Sequence, residues 1–214
     1  MSTLPQIVDI VRRDLQSGIS ADESRLDELY LERKVHQARA IIIQTYITKG
    51  KDFINEAWLQ ELDIDSVDRD LTCGAVDFDC PTVITDGETD GFVYVGHANG
   101  IKPFIRHRGS HSPLAMHSVF RSRVKQDVTW EFSITLQNRS YIRCLGNPKL
   151  EKLKVKAIFN DPTEVPGYRK DTDRYPVDAA VERELIELIV TSTINKLRQP
   201  ADLVSNSQDK PQMK

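Results

Sequence analysis

The chain has 214 residues, 39% hydrophobic and 29% charged, with a net charge of −3. That length can bury one core or two small ones, and no apolar run approaches the roughly 20 residues of a membrane span. A pI near 6.0 is not that of a dedicated nucleic-acid binder, which carries a basic domain.

The first predicted element is a helix over residues 4–17. Pro5 is tolerated in a first turn, and Ile7, Ile10, Val11 and Leu15 form a one-sided apolar stripe. Gly18 suits the helix end, and Ser20 with Glu23 has capping-box spacing, so a second helix is expected from there to about Thr48. Leu31, Val35, Ala38, Ile42 and Tyr46 share one face of it, and Ile41, Ile43 and Ile47 widen the apolar surface. Such a helix needs several neighbours. Residues 53–62 are expected to add a helical turn or two, and the acidic stretch 63–80 reads as irregular. Short strands follow at 82–85, 92–95 and 101–106, separated by the turn signals Asp86-Gly87, Asp90-Gly91 and Asn99-Gly100.

Residues 108–113 read as an exposed loop. Val128, Trp130, Phe132, Ile134 and Leu136 then alternate strictly with polar residues, which places the apolar ones on one face of a strand. This strand and residues 140–145 predict a hairpin around Asn138-Arg139. Leu153, Val155, Ala157 and Phe159 mark a further strand, ended by Asn160-Asp161-Pro162. Pro176 is suited to the first turn of a closing helix over 176–198, with Val181, Leu185, Leu188 and Ser192 on its stripe. From Gln199 onward there are too few apolar groups to offset ordering entropy alone, so this tail is expected to order only against a partner.

The fold class expected is α+β: terminal helices form a bundle around a central β-rich insert, barrel- or sandwich-like. The expected organisation is a discontinuous helical scaffold (1–52 and 170–198), a β-rich insert (53–169) and an extended C-terminal arm (199–214).

Charge is unevenly distributed. Residues 61–90 carry ten acids against Arg69 alone, and residues 101–125 carry six bases and no acid. Beyond two solvated faces, this pattern suits head-to-tail pairing of copies, the acidic edge of one meeting the basic edge of the next. Such a contact closes into a ring when the rotation allows. The interface candidates are Arg106, Arg108, Arg121, Arg123 and Lys125 on the basic side, and Asp63, Asp65, Asp68 and Asp70 on the acidic side.

No arrangement of catalytic type stands out. There is no Gly-x-Ser-x-Gly elbow, and Gly87, Gly91, Gly96 and Gly100 are spaced turn residues with no following helix. Cys73, Cys80 and Cys144 are too few for a disulfide framework and wrongly spaced for a zinc knuckle, so free thiols are expected. His97, His107, His111 and His117 gather in one region, and His107 with His111 has ligand spacing, but Gly109 and Pro113 argue against the helix that spacing needs. No catalytic, cofactor or metal residue is therefore assigned, and a metal-dependent hydrolase is the weaker alternative. The stronger one is a DNA-binding module using the basic 101–125 segment beside Phe104 and Phe120. The opening residues lack the basic and apolar regions of a secretory signal, so the chain is expected to stay in the cell that makes it or in a particle assembled there.

The run Tyr141-Ile142-Arg143-Cys144-Leu145-Gly146-Asn147-Pro148-Lys149-Leu150, continuing through Val155-Lys156-Ala157-Ile158-Phe159-Asn160-Asp161-Pro162 to Val165, resembles a strand–turn–strand segment of virion structural proteins from short-tailed, crAss-like bacteriophages of Bacteroidetes. The stretch 12–40, with Ser17-Gly18, Asp22 and Ser24, is similar to that family's opening. Tyr175-Pro176, the closing helix, Gln199-Pro200-Ala201-Asp202 and Ser205-Asn206-Ser207 are similar to its C-terminus. The resemblance implies a head-to-tail connector, adaptor or ring protein, non-enzymatic, in the virion neck or tail and assembled in the host cytoplasm. The implied partners are other copies in a dodecameric ring, the portal protein, other ring or tail proteins, and DNA in the channel by non-specific contact, with no membrane. Pro200, Leu203, Val204 and Asn206 are the arm residues expected to dock on the portal.

Overall fold

The computed structural model describes residues 2–18, 27–49, 54–70, 74–85, 91–106, 128–134, 140–147 and 149–198. The chain divides into two compact units, one of residues 1–42 and 170–214, the other of residues 43–169. It is an α+β protein.

The first unit is helical. Helix α1 (Leu4–Gly18) buries Leu4, Ile7, Val8, Val11 and Leu15, an i, i+4 stripe with one extra turn of contact. Helix α2 (Glu28–Thr48) contributes Leu31, Val35 and Ala38 to this unit, and α3 (Ala179–Arg198) contributes Val181, Leu185 and Ile189. The capping pair Ser20 and Glu23 lies outside the described residues. Asp178, not Pro176, starts α3: its carboxylate accepts hydrogen bonds from the backbone N–H groups of Ala180 and Val181, both at 2.9 Å. An aspartate satisfies two N–H groups that a proline cannot reach. The stripe of α3 also differs from the expected one. Thr193 is buried, whereas Leu188 is 39% exposed and Ser192 is exposed, because the buried line runs strictly through every fourth residue.

Polar clasps close this unit. On α2, Glu32, His36 and Arg39 lie along one side, and each holds the segment leading into α3. Lys170 donates to Glu32 at 2.8 Å, His36 Nδ1 and the Tyr175 hydroxyl are 2.8 Å apart, and Arg39 Nε donates to the Pro176 carbonyl at 3.0 Å. The Arg39 side chain is fully buried beneath the Tyr175 ring, 5.8 Å from its centroid. At the chain start, the Ser2 hydroxyl donates to Glu182 at 2.6 Å and the Ser2 carbonyl accepts from Tyr175 N–H at 3.0 Å.

The second unit is a sandwich of two open sheets rather than a closed barrel, among the described residues. One sheet has strand order β1-β8-β4 and the other β2-β3-β7-β6-β5. The strands are β1 (Gln60–Asp65), β2 (Asp68–Asp70), β3 (Ala75–Asp79), β4 (Phe92–His97), β5 (Ile105–Arg106), β6 (Thr129–Ile134), β7 (Ser140–Leu145) and β8 (Lys152–Ala157). Their inner faces meet in one apolar core. Leu62, Leu153, Val155, Ala157 and Val95 come from the first sheet; Val76, Phe78, Ile142, Cys144 and Trp130 come from the second. The register lines these up as rows: Val76 opposite Cys144 opposite Trp130, then Phe78 opposite Ile142 opposite Phe132.

Four sequence expectations change here. The strand expected at 82–85 reduces to isolated bridging, with Val83 opposite Phe159. The helical turn expected over 53–62 shrinks to a 3-10 turn, Glu56–Trp58, followed directly by β1. The acidic stretch is not irregular where it is described: it forms β1, β2 and β3, and in β1 and β3 its acids alternate with apolar residues, Leu62, Val76 and Phe78, that reach the core, while 71–73 lie outside the described residues. Of the strand expected at 101–106, only β5 is a strand, parallel to β6, and Pro103 makes an isolated bridge to Gly96. The hairpin of β6 and β7 is antiparallel as expected, and its turn lies outside the described residues.

Candidate assembly interface

The acidic strand β1 is antiparallel to β8, whose sequence alternates lysine with apolar residues. The register sets Glu61 opposite Lys156, Asp63 opposite Lys154 and Asp65 opposite Lys152. One side of this strand pair is core and the other is a ladder of opposite charges. Lys154 and Lys156 approach Glu61 at 3.3 and 3.6 Å, and Lys152 approaches Asp65 at 3.9 Å. Each such exposed pair adds only a few tenths of a kcal/mol, up to about 1. The ladder serves register more than stability: slipping by one residue would bury the charges.

On the second sheet, Asp68, Asp77, Arg143 and Glu131 form a row across β2, β3, β7 and β6. Arg143 grips Asp77 with two parallel hydrogen bonds, 2.8 and 2.7 Å, and lies 5.6 Å from the Tyr141 ring. That hydrogen-bonded pairing, opposed by burial and helped by the charge of Asp77, holds the guanidinium above its ordinary pKa. Asp70 is at the end of β2, where its backbone pairs with Ala75.

Of the basic candidates, only Arg106 is described. It stands on β5 opposite Trp130, with its guanidinium carbon 5.1 Å from the Trp130 ring and 5.9 Å from the Phe92 ring. Phe92 in turn meets Trp130 and Phe132 edge-on, each at 5.0 Å. Arg106 thus closes an aromatic cluster at the sandwich edge, a cation–π contact worth about 0.5–2 kcal/mol. Arg108, Arg121, Arg123 and Lys125 lie outside the described residues, as do His107, His111 and His117. So do the arm residues Pro200, Leu203, Val204 and Asn206. His97 stacks edge-on against Phe104 at 4.7 Å.

A cleft of about 500 Å³ opens beside β1 in this unit. Leu62, Ile64, Pro81 and Pro166 give it apolar walls, and Asp79, Thr82, Ser140 and Glu164 give it polar ones. Burial, reinforced by the charge of Asp161, raises the Glu164 carboxyl above its usual range. Cys80 also lines the cleft, but burial pushes its thiol up to about 12, and burial with the nearby Asp77 charge does the same for Cys144. Both are buried free thiols and neither is a thiolate at neutral pH.

Sequence reasoning missed the β8 lysines as partners of the acidic block, and missed Glu32, His36 and Arg39 altogether. The signal was present in both cases: Lys152, Lys154 and Lys156 repeat the period of Glu61, Asp63 and Asp65, and residues 32, 36 and 39 flank the apolar stripe of α2.

The sequence matches the family model described as phage tail ring protein 2 over residues 6–211. The chain belongs to this family. A comparison with curated proteins found no match. The ring protein is accordingly a structural component of the phage tail, and of the virion, that works in assembly with other tail proteins. No helix among its described residues is long and apolar enough to cross a membrane.

Proposed function

We propose that this ring protein is a non-enzymatic subunit of the head-to-tail connector, forming a dodecameric ring beneath the portal around the DNA channel. The family match across residues 6–211 carries the ring. The connector position is what is implied by the resemblance of the closing segment, Tyr175-Pro176 through Ser205-Asn206-Ser207, to the C-terminus of virion structural proteins of crAss-like phages. In this reading the helices supply lateral contacts, the β-sandwich meets the next ring or the tail, and residues 199–214 dock on the portal. An arm with so few apolar groups gains order only where a surface receives it, which favours assembly in sequence. Contact with channel DNA is non-specific, consistent with the chain's net charge of −3.

The test is a deletion of residues 199–214. The truncated protein is expected to fold and to stay off the portal in a pull-down, while the full chain binds and shows rings in negative stain. Normal attachment of the truncation would reject the arm as the docking element.

A further inference from the structure

We propose that the turn of residues 97–102 is a docking knob, and that its Ile101 seats in the cleft beside β1 of a second copy of the chain. This rests on the reading of the chain as a ring subunit and names one contact between neighbouring copies.

Ile101 is 82% exposed, the most exposed large apolar side chain among the described residues. One apolar residue in water is ordinary by itself. What sets this one apart is the backbone that carries it. The Gly100 N–H closes the turn on the His97 carbonyl at 2.9 Å, with Gly100 at φ +70°, and the Ile101 N–H donates to the Asn99 side-chain oxygen at 3.3 Å. The Tyr94 hydroxyl lies 3.2 Å from the carbonyls of both His97 and Lys102, one on each arm of the turn. At its base, the Phe104 N–H donates to the Val95 carbonyl at 2.7 Å, and the Phe104 ring meets His97 edge-on. A turn held this way has little freedom left to lose on binding, so burial of its tip is opposed by little ordering cost.

The cleft beside β1 has the complementary chemistry. Its volume of about 500 Å³ falls within the roughly 300–1,000 Å³ of concave binding sites. Leu62, Ile64, Pro81 and Pro166 give it an apolar wall for Ile101. Its lining carries two carboxylates, Asp79 and Glu164, and no base. The stretch 97–106 carries Lys102 and Arg106 and no acid, and the exposed Lys102 directly follows Ile101. Seating Ile101 therefore brings an ammonium to the carboxylates, one of which, Glu164, is already disfavoured as an anion by burial and by Asp161.

Topology assigns the contact to two copies. β1 and β4 pair with opposite sides of β8, and the turn follows directly from β4. Knob and cleft thus belong to opposite edges of one sheet, with the two edge strands about 10 Å apart. The β4 edge of one copy meets the β1 edge of the next. Such a contact is heterologous, the type that repeats from copy to copy and generates rings.

The experiment compares full-length Ile101→Asp, Lys102→Glu, Glu164→Lys and the Lys102→Glu, Glu164→Lys pair by sedimentation velocity, with portal and tail proteins present where the parent chain needs them to assemble. Ile101→Asp is expected to raise the concentration needed for assembly at least about tenfold, as loss of a seated apolar anchor does. Each single charge reversal is expected to raise it less, and the pair to recover most of that loss. Rings formed as well by Ile101→Asp as by the parent overturn the knob and leave the ring intact. A parent chain that stays monomeric even with portal and tail proteins removes the ring reading itself, and the contact with it. A second measurement reads proximity directly. Chains carrying Ile101→Cys and chains carrying Pro166→Cys are mixed, assembled and oxidised. A dimer whose bridge maps by mass spectrometry to positions 101 and 166 is expected; rings without that bridge overturn the contact.

Discussion

Arg106 and Cys144 illustrate how a residue's neighbours decide what it can do. In the sequence Arg106 is one of six bases in an acid-free stretch; in the fold its guanidinium covers the Trp130 and Phe92 rings. Cys144 is an ordinary thiol in the sequence and a fully enclosed one in the sandwich core. The consequence for pH has a definite sign. Cys80 and Cys144 rise from 9.0 to about 12, so below pH 9 neither state ionises them and they add no pH dependence. Between 9 and 12 the unfolded chain loses thiol protons that the folded chain keeps, and stability falls. At pH 8, iodoacetamide is expected to label neither Cys80 nor Cys144 in the native protein and both after denaturation; rapid native labelling of either would contradict their enclosure. Gly96 is constrained by space. A Cβ there would come within 2.5 Å of the Tyr94 hydroxyl and 2.6 Å of the Lys102 carbonyl. The Tyr94 hydroxyl donates across this position to the carbonyls of His97 and Lys102, at 3.2 Å each, pinning the turn in which Gly100 takes φ +70°. Gly96→Ala is expected to cost about 1–3 kcal/mol in denaturant melts, as overpacking does elsewhere. An unchanged midpoint would show that the Tyr94 contact yields freely.

At the level of elements, periodicity was readable wherever apolar residues were dense. Leu153, Val155, Ala157 and Phe159, Val128 and Trp130, Ile7, Val11 and Leu15 of α1, and Leu31, Val35, Ala38 and Ile42 of α2 reach the core as their spacing implies, whereas Ile10 and Tyr46 are only half-buried and Ile41 is exposed. β1 was not readable, because only Leu62 and Ile64 interrupt its acids and the lysines that balance them come from β8, far along the chain. The α3 stripe was misplaced for a related reason. Leu188 fits a helical stripe as well as Ile189 does, and only the packed neighbours select the line through Val181, Leu185, Ile189 and Thr193. Arg39 is the clearest element-scale device, joining α2 to the segment before α3 by a buried hydrogen bond to the Pro176 carbonyl. Arg39→Met keeps the apolar stem and removes the donor. It is expected to destabilise the protein by about 1–3 kcal/mol in thermal or denaturant unfolding, the cost of stranding a buried carbonyl. A variant as stable as the parent would mean that the methionine packing offsets the lost bond.

For the molecule as a whole, charge is the property we propose to link fold to assembly. Reversing Arg121 and Arg123 to Glu is expected to weaken oligomers much more at low salt than at high salt, since exposed charges are screened beyond about 10 Å at 0.1 M. An unchanged mass distribution in native mass spectrometry would remove the electrostatic contribution. The α+β class, the terminal helices and the β-rich middle followed from local spacing, since helix and strand periods are written in neighbouring residues. The likeness to crAss-like virion proteins was also present in the sequence, as a resemblance carried by runs such as Tyr141 to Val165 and not by periodicity. Which acid meets which base did not follow, because cross-strand partners are chosen by register between distant segments. Nor did the burial of Arg39 and Cys144, which depends on elements that become neighbours only when the chain has folded. Local chemistry set what each segment is able to form, and long-range packing selected which of its groups stay available to another subunit.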